Sequence, residues 1–171
     1  MYANTAAAVP YMNEEEKKVI YILNLVRMNP ALFAETVVKN YPASSGKLQL
    51  KNSRYYKSLL TNLESISSLV LLQPDQTCYI SASCHALSAG KASYIGHERQ
   101  TAECKRLAAY NGECCAYGYS SAIDIVMSLL IDEDVPSLGH RKIMLAHYRK
   151  AGVSIKPHNS YRTNAVIDFA Y

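Results

Sequence analysis

The apolar pattern of this chain changes period late, and that ordering limits the folds open to it. Through most of its 171 residues the apolar side chains recur at three- and four-residue steps, the spacing of one face of a helix. Only residues 112–119 and two closing runs, 151–156 and 161–171, read as extended, the last two hinged on a turn at 157–160. Helices first and strands last, without the alternation of βαβ units, predict an α+β fold and not a doubly wound parallel sheet. At this length one domain with a sizeable core is the natural reading.

Local signals place the elements. Asn13 followed by Glu14, Glu15 and Glu16 predicts a helix start, with an N-cap side chain, acids in the positive first turn and a capping-box glutamate. Val19, Ile22, Leu23 and Val26 then form its apolar face, and Asn29 and Pro30 end it and open a second helix. Residues 41–53 read as a loop, followed by a short helix over 54–62. Pro74 and Asp75 begin a helix along which Cys78, Ala82, His85, Ala89 and Ala92 share one face. A stripe of side chains that small invites close approach by a neighbouring element. Ser121 caps an apolar helix over 123–131, and an acidic loop leads through Gly139 into a short helix over 139–146.

Composition removes several classes. Apolar residues make up 49% and charged residues 19%, ordinary for a globular protein. No run nears the roughly 18 apolar residues of a membrane span. The first residues lack the basic start and long apolar centre of a secretory signal, which leaves open an intracellular protein or a removed leader. The net charge of +4 is unevenly spread. No acid lies between Glu35 and Glu64, or between Asp134 and Asp168, while lysines and arginines recur in both stretches. Such stretches suit an anionic partner or a solvated basic surface; no nucleic-acid module is present. Five cysteines leave at least one thiol unpaired within the chain. Cys78 and Cys84 are separated by about 9 Å along one helix, too far to bridge. A bridge between Cys114 and Cys115 would close a strained ring, so buried reduced thiols are expected.

An ordered series of motifs carries a family resemblance. A small-residue helix runs into Ile95, Gly96, His97, Glu98 and Arg99; Gly112 and Glu113 precede Tyr117 and Gly118. A helix ends at Ile131, Asp132 and Glu133, and Gly139, His140 and Arg141 lead to Ala151, Gly152 and Val153. Together with Asn24 and Arg27 near the start, this resembles the CAP superfamily (cysteine-rich secretory proteins, antigen 5, pathogenesis-related 1) in a compact bacterial form. The likeness spans residues 13–171, with 1–12 as an extension. It implies a three-layer α/β/α sandwich around a central antiparallel sheet, and a cleft lined by two histidines and two acids. Those match His97, His140, Glu113 and Asp132, with Glu133 as the alternative to Asp132. The family's tryptophan is absent here, and Cys114 stands where the family has asparagine.

That donor set suits a divalent metal, Zn²⁺ above all. The resemblance implies an exported binding or modulatory module, secreted, periplasmic or at the cell surface, with a lipid, glycan or protein partner. The alternative is a Zn²⁺-dependent hydrolase with Glu113 as general base. Against both stands a purely structural role, in which these side chains tie the sheet to its helices. A nucleophilic Cys114 or Cys115 beside His140 would need a lowered thiol pKa. Ser137 is expected to cap the helix that follows it, His85 to be a core residue, and His147 and His158 to lie at the surface.

Overall fold

The computed structural model describes residues 2–171. In chain order its elements are α1 (Glu14–Met28), α2 (Pro30–Phe33), α3 (Tyr41–Ser44), α4 (Arg54–Ser65), β1 (Gln73–Pro74), α5 (Gln76–Ala92), α6 (Ala102–Leu107), β2 (Gly112–Tyr117), α7 (Ala122–Ile131), α8 (Gly139–Met144), β3 (Lys150–His158) and β4 (Arg162–Ala170). The fold is α+β, with a four-stranded sheet ordered β1-β3-β4-β2. The sheet is mixed: β3–β4 and β4–β2 are antiparallel, whereas β1 runs parallel to β3. The expectation of an antiparallel sheet is corrected at that edge. A strand of two residues, Gln73 and Pro74, carries no alternation to read. Residues 41–53, expected to be a loop, contain α3 and a 3₁₀ turn at Leu48–Asn52.

Side chains alternate along β4. Ala165, Ile167 and Phe169 join the main core with Leu23 of α1 and Met127 of α7, while Val166 packs with Ala82 and Ala86 of α5. Helix α5 thus covers one face of the sheet, and α1, α7 and α8 approach the other. Each fully buried leucine or isoleucine in this core contributes roughly 1.5–3 kcal/mol.

The small-residue stripe on α5 performs as its composition suggests. A Cβ added at Gly152 of β3 would lie 2.0 Å from the Tyr79 nitrogen, and one at Gly90 of α5 would lie 2.1 Å from the Pro157 oxygen. Helix and strand therefore meet backbone to backbone at both ends of their contact.

The capping signals hold. Asn13 accepts from the Glu16 amide and Glu16 reaches back to the Asn13 amide. The second Glu16 oxygen accepts from Ile155 N at 2.8 Å, which ties α1 to β3. Asp75 accepts from Cys78 N at the start of α5, and Ser121 from Asp124 N at the start of α7. Asn24 bonds the backbone of Leu72 on both sides. Arg27 is wholly buried and donates to the carbonyls of Val70, Met144, Ala146 and Tyr148. Burial without an acidic partner lowers its pKa to about 10. These two polar residues organise segments that form no regular ladder, because buried carbonyls must find donors.

Three local expectations are corrected. Cys84 and Cys104 form a disulfide joining α5 to α6, with Cα atoms 5.4 Å apart; Cys78, Cys114 and Cys115 are buried free thiols. Spacing along one helix could not reveal a partner on another. Ser137 does not cap α8, whose N-cap is Leu138 with no side-chain bond. Asp132 supplies the acceptor instead. His158 is buried, its Nε2 bonded to Tyr94 O and its Nδ1 accepting from Ser160 N and Tyr161 N in the β3–β4 turn. His85 is buried and His147 exposed, as expected. Among the described residues no helix is long and apolar enough to cross a membrane.

Gly152→Ala is expected to destabilise the protein by about 3 kcal/mol or more, since the new methyl meets backbone that cannot yield. Gly139→Ala, whose Cβ would find only Ser137 Oγ at 3.6 Å, should stay within about 1 kcal/mol of the parent. Urea denaturation of both variants checks the contrast.

Candidate functional site

Strand β2 lies at the edge of the sheet, and the candidate residues gather around it. The two-residue period of a strand puts Glu113, Cys115 and Tyr117 on the α5 side and Cys114 on the other. Helix α5 ends at Ser93 in a left-handed conformation, and Gly96 follows with φ +130°, a conformation that side chains oppose. The Gly96 amide donates to the Tyr117 hydroxyl at 2.9 Å, pinning the loop to β2. The next residue, His97, donates from Nδ1 to Glu113 Oε1 at 2.8 Å.

A second pair forms on the opposite side of the strand. Asp132 terminates α7 in a left-handed conformation and accepts from the His140 backbone nitrogen at 3.0 Å and from His140 Nδ1 at 2.7 Å. Arg141, buried beside it, donates to the terminal carbonyls Leu130 O and Ile131 O of α7, to Tyr55 O and to Ser58 Oγ. This fixes α8 against α7 and α4, and with them the His140 ring. Glu133, the alternative acid, instead accepts from Ser53 Oγ at 2.6 Å.

The structure therefore brings His97, Glu113, Asp132 and His140 together as two imidazole–carboxylate pairs. The ring centroids of His97 and His140 are 6.4 Å apart, inclined by 38°. With Nδ1–H committed to a carboxylate, each neutral ring keeps its lone pair on Nε2. Beside His140 opens a cavity of about 240 Å³, lined in part by Tyr41, Lys47, Leu50, Tyr119 and Asp132.

Charges are concentrated on the α5 side. Glu113 faces Asp168 across the β2–β4 pair. Arg99 Nη1 forms an ion pair with Glu113 Oε2 at 2.6 Å, and Arg99 Nη2 lies 3.4 Å from Asp168 Oδ2. Burial alone would raise Glu113, but His97, Asp168 and Arg99 hold it below the usual carboxylate range. Burial first, and then the Glu113 charge, push Asp168 up to about 9. Two carboxyls in one buried place thus share a proton, with Glu113 ionised and Asp168 neutral at neutral pH. The bond to Glu113 raises the pKa of His97, while burial lowers that of His85.

Cys114 and Cys115 are buried reduced thiols, as expected, and neither is placed as a nucleophile. Cys114 Sγ approaches the His140 backbone oxygen at 3.7 Å, not the imidazole, and Cys115 Sγ lies 3.8 Å from His97 Nδ1. Burial drives both thiols well above the ordinary cysteine range, opposite to what a nucleophile requires. His85, Glu113 and Cys115 each bring a ligand atom within 4.8 Å of the others, a group that could hold a metal ion. The sequence motifs do not mark Arg99, Asp168 or His85 as site residues. Arg99 sits two residues beyond His97, a signal present in the sequence, whereas Asp168 becomes visible only through strand register.

No protein-family model matches the chain, and no curated protein matches it.

Folding takes up a proton at Asp168 that the unfolded chain, with a carboxyl near 3.8, releases. The folded state therefore binds more protons between about pH 4 and 9, and this contribution to stability falls as pH rises through that window. Asp168→Asn, neutral throughout, should flatten the loss by up to about 1.4 kcal/mol per pH unit. Urea denaturation of both proteins at pH 5, 7 and 9 measures it; equal slopes would contradict the assignment.

Proposed function

We propose that the chain is a CAP-like, three-layer α/β/α binding module, exported to act at the cell surface or outside the cell, which engages its partner at the cleft beside β2. The observation that carries this reading is the pair of carboxylate-anchored imidazoles, His97 on Glu113 and His140 on Asp132, held from opposite sides of one edge strand. The sequence motifs supply the family likeness, and packing of helices on both faces of the sheet supports the layered architecture. Fold resemblance does not confer an activity, so function is argued from the site.

The donor chemistry fits a divalent ion in part. His97 and His140 would hold Zn²⁺ through Nε2, with Glu113 and Asp132 fixing the tautomers and not serving as ligands. Such an ion supplies Lewis acidity toward a bound oxygen. Two protein ligands make for weak binding, in keeping with a module that recognises and does not turn over its partner.

The rival reading, hydrolysis with Glu113 as general base, has less support. Glu113 is buried, bonded to His97 and paired with Arg99, and its depressed pKa makes it a poor proton acceptor. The partner belongs to the lipid, glycan or protein classes; a cavity of about 240 Å³ admits a head group or one sugar unit better than a whole lipid chain.

Binding to anionic phospholipid vesicles and to an immobilised acidic polysaccharide is expected for the parent and at least tenfold weaker for His97→Ala/His140→Ala. Ester, peptide and phosphoester substrates with added Zn²⁺ should show no turnover above that double variant. Zn²⁺-dependent turnover abolished by Glu113→Gln would replace the binding reading with the hydrolase.

A further inference from the structure

We propose that His85, Glu113 and Cys115 form a buried metal site containing a thiolate ligand, with Zn²⁺ as its natural occupant. It lies on the α5 side of β2, and it does not depend on the cleft reading.

The backbone preorganises the three donors. Glu113 and Cys115 stand two residues apart on β2, so the strand period points them to the same face. His85 comes from α5, whose position over the sheet is fixed by the close backbone approaches at Gly90 and Gly152. The three residues are 0%, 5% and 7% exposed, and their ligand atoms all lie within 4.8 Å of one another. Bonds of 2.0–2.3 Å in a tetrahedral zinc site place donors about 3.3–3.7 Å apart. The group therefore has to contract by up to roughly 1.5 Å, within the reach of side-chain adjustment.

Buried polar atoms in this region also lack hydrogen-bond partners among the described residues. His85 Nε2 is 3.0 Å from Gly96 O and 4.0 Å from Glu113 Oε1. His85 Nδ1 has no hydrogen-bond partner among the described residues. A wholly buried imidazole with one unsatisfied nitrogen costs free energy that a fold seldom tolerates without a purpose.

Nitrogen, oxygen and sulfur donors together select the ion. Thiolate disfavours Mg²⁺ and Ca²⁺, and the mixed set suits Zn²⁺ or its stand-in Co²⁺. Glu113 and a Cys115 thiolate would bring two negative charges to match a divalent ion, with Asp168 remaining protonated beside Arg99. On binding, the Cys115 sulfur forms a bond to the metal and its proton leaves to solvent. His97, 57% exposed, lies over the group from the solvent side, with Nδ1 3.8 Å from Cys115 Sγ. The ion enters past this ring.

Cobalt titration of the full chain, with its disulfide intact, tests the proposal. A thiolate-to-cobalt charge-transfer band in the near ultraviolet is expected, saturating at one equivalent and displaced by Zn²⁺. It should survive Cys114→Ser, Cys78→Ser and His140→Ala and disappear in Cys115→Ser; Cys115→Ala serves if the serine variant loses its native circular dichroism. No such band in the parent, or a band that persists without Cys115, would overturn the proposal. Cobalt bound without sulfur and released by His140→Ala would also overturn it, while leaving the cleft reading in place.

Discussion

The seat of α5 on the sheet is the constraint from which the rest of the molecule is built. At Gly90 and Gly152 the helix and β3 come so close that even a methyl group would strike backbone. That proximity brings Ser81 and His85 of the helix over Glu113 and Asp168 of the sheet, which sit in register on neighbouring strands. It also sets where the helix ends, and so where the loop bearing His97 and Arg99 begins. The Cys84–Cys104 disulfide binds the far side of that loop to the same helix. A disulfide closing a loop of this size contributes on the order of 3 kcal/mol by restricting the unfolded chain.

Buried charge follows from this geometry. A carboxylate in the sheet face is expensive unless paired, and breaking such a pair costs about 3–5 kcal/mol. Glu113 meets that condition through Arg99 and His97, and Asp168 meets it by remaining protonated. The same accounting explains two other buried arginines. Among the described residues neither Arg27 nor Arg141 forms an ion pair, although Asp132 lies beside Arg141; both satisfy backbone carbonyls at helix ends and irregular segments. Polar side chains inside this protein thus do structural work, and the site grows out of that network instead of being added to it.

Much of this was legible in the sequence wherever the controlling interaction was local. Asn13, Asp75 and Ser121 announce their helices because an N-cap bond spans only three residues. The stripe of Cys78, Ala82, His85 and Ala89 announces close packing because small side chains have few other uses at helical spacing. Motif order names the four residues that the fold brings together, and only the turn that aims Asp132 at the α8 amides separates it from Glu133. What stayed hidden depends on long-range register. Asp168 is one acid in an apolar strand until β4 is laid beside β2. The disulfide partner of Cys84 lies on another helix, β1 is too short for a period, and His158 is buried by a turn that a surface-like sequence does not betray.

Two carboxylates hold His97 and His140 as Nδ1–H tautomers, each with an unprotonated Nε2. Nitrogen-15 NMR of the histidine rings, at a pH where both are neutral, reads this directly. Nδ1–H tautomers are expected for both rings, with His97 reverting to the ordinary Nε2–H preference in Glu113→Ala and His140 doing so in Asp132→Ala. Nε2–H tautomers in the parent protein would contradict it.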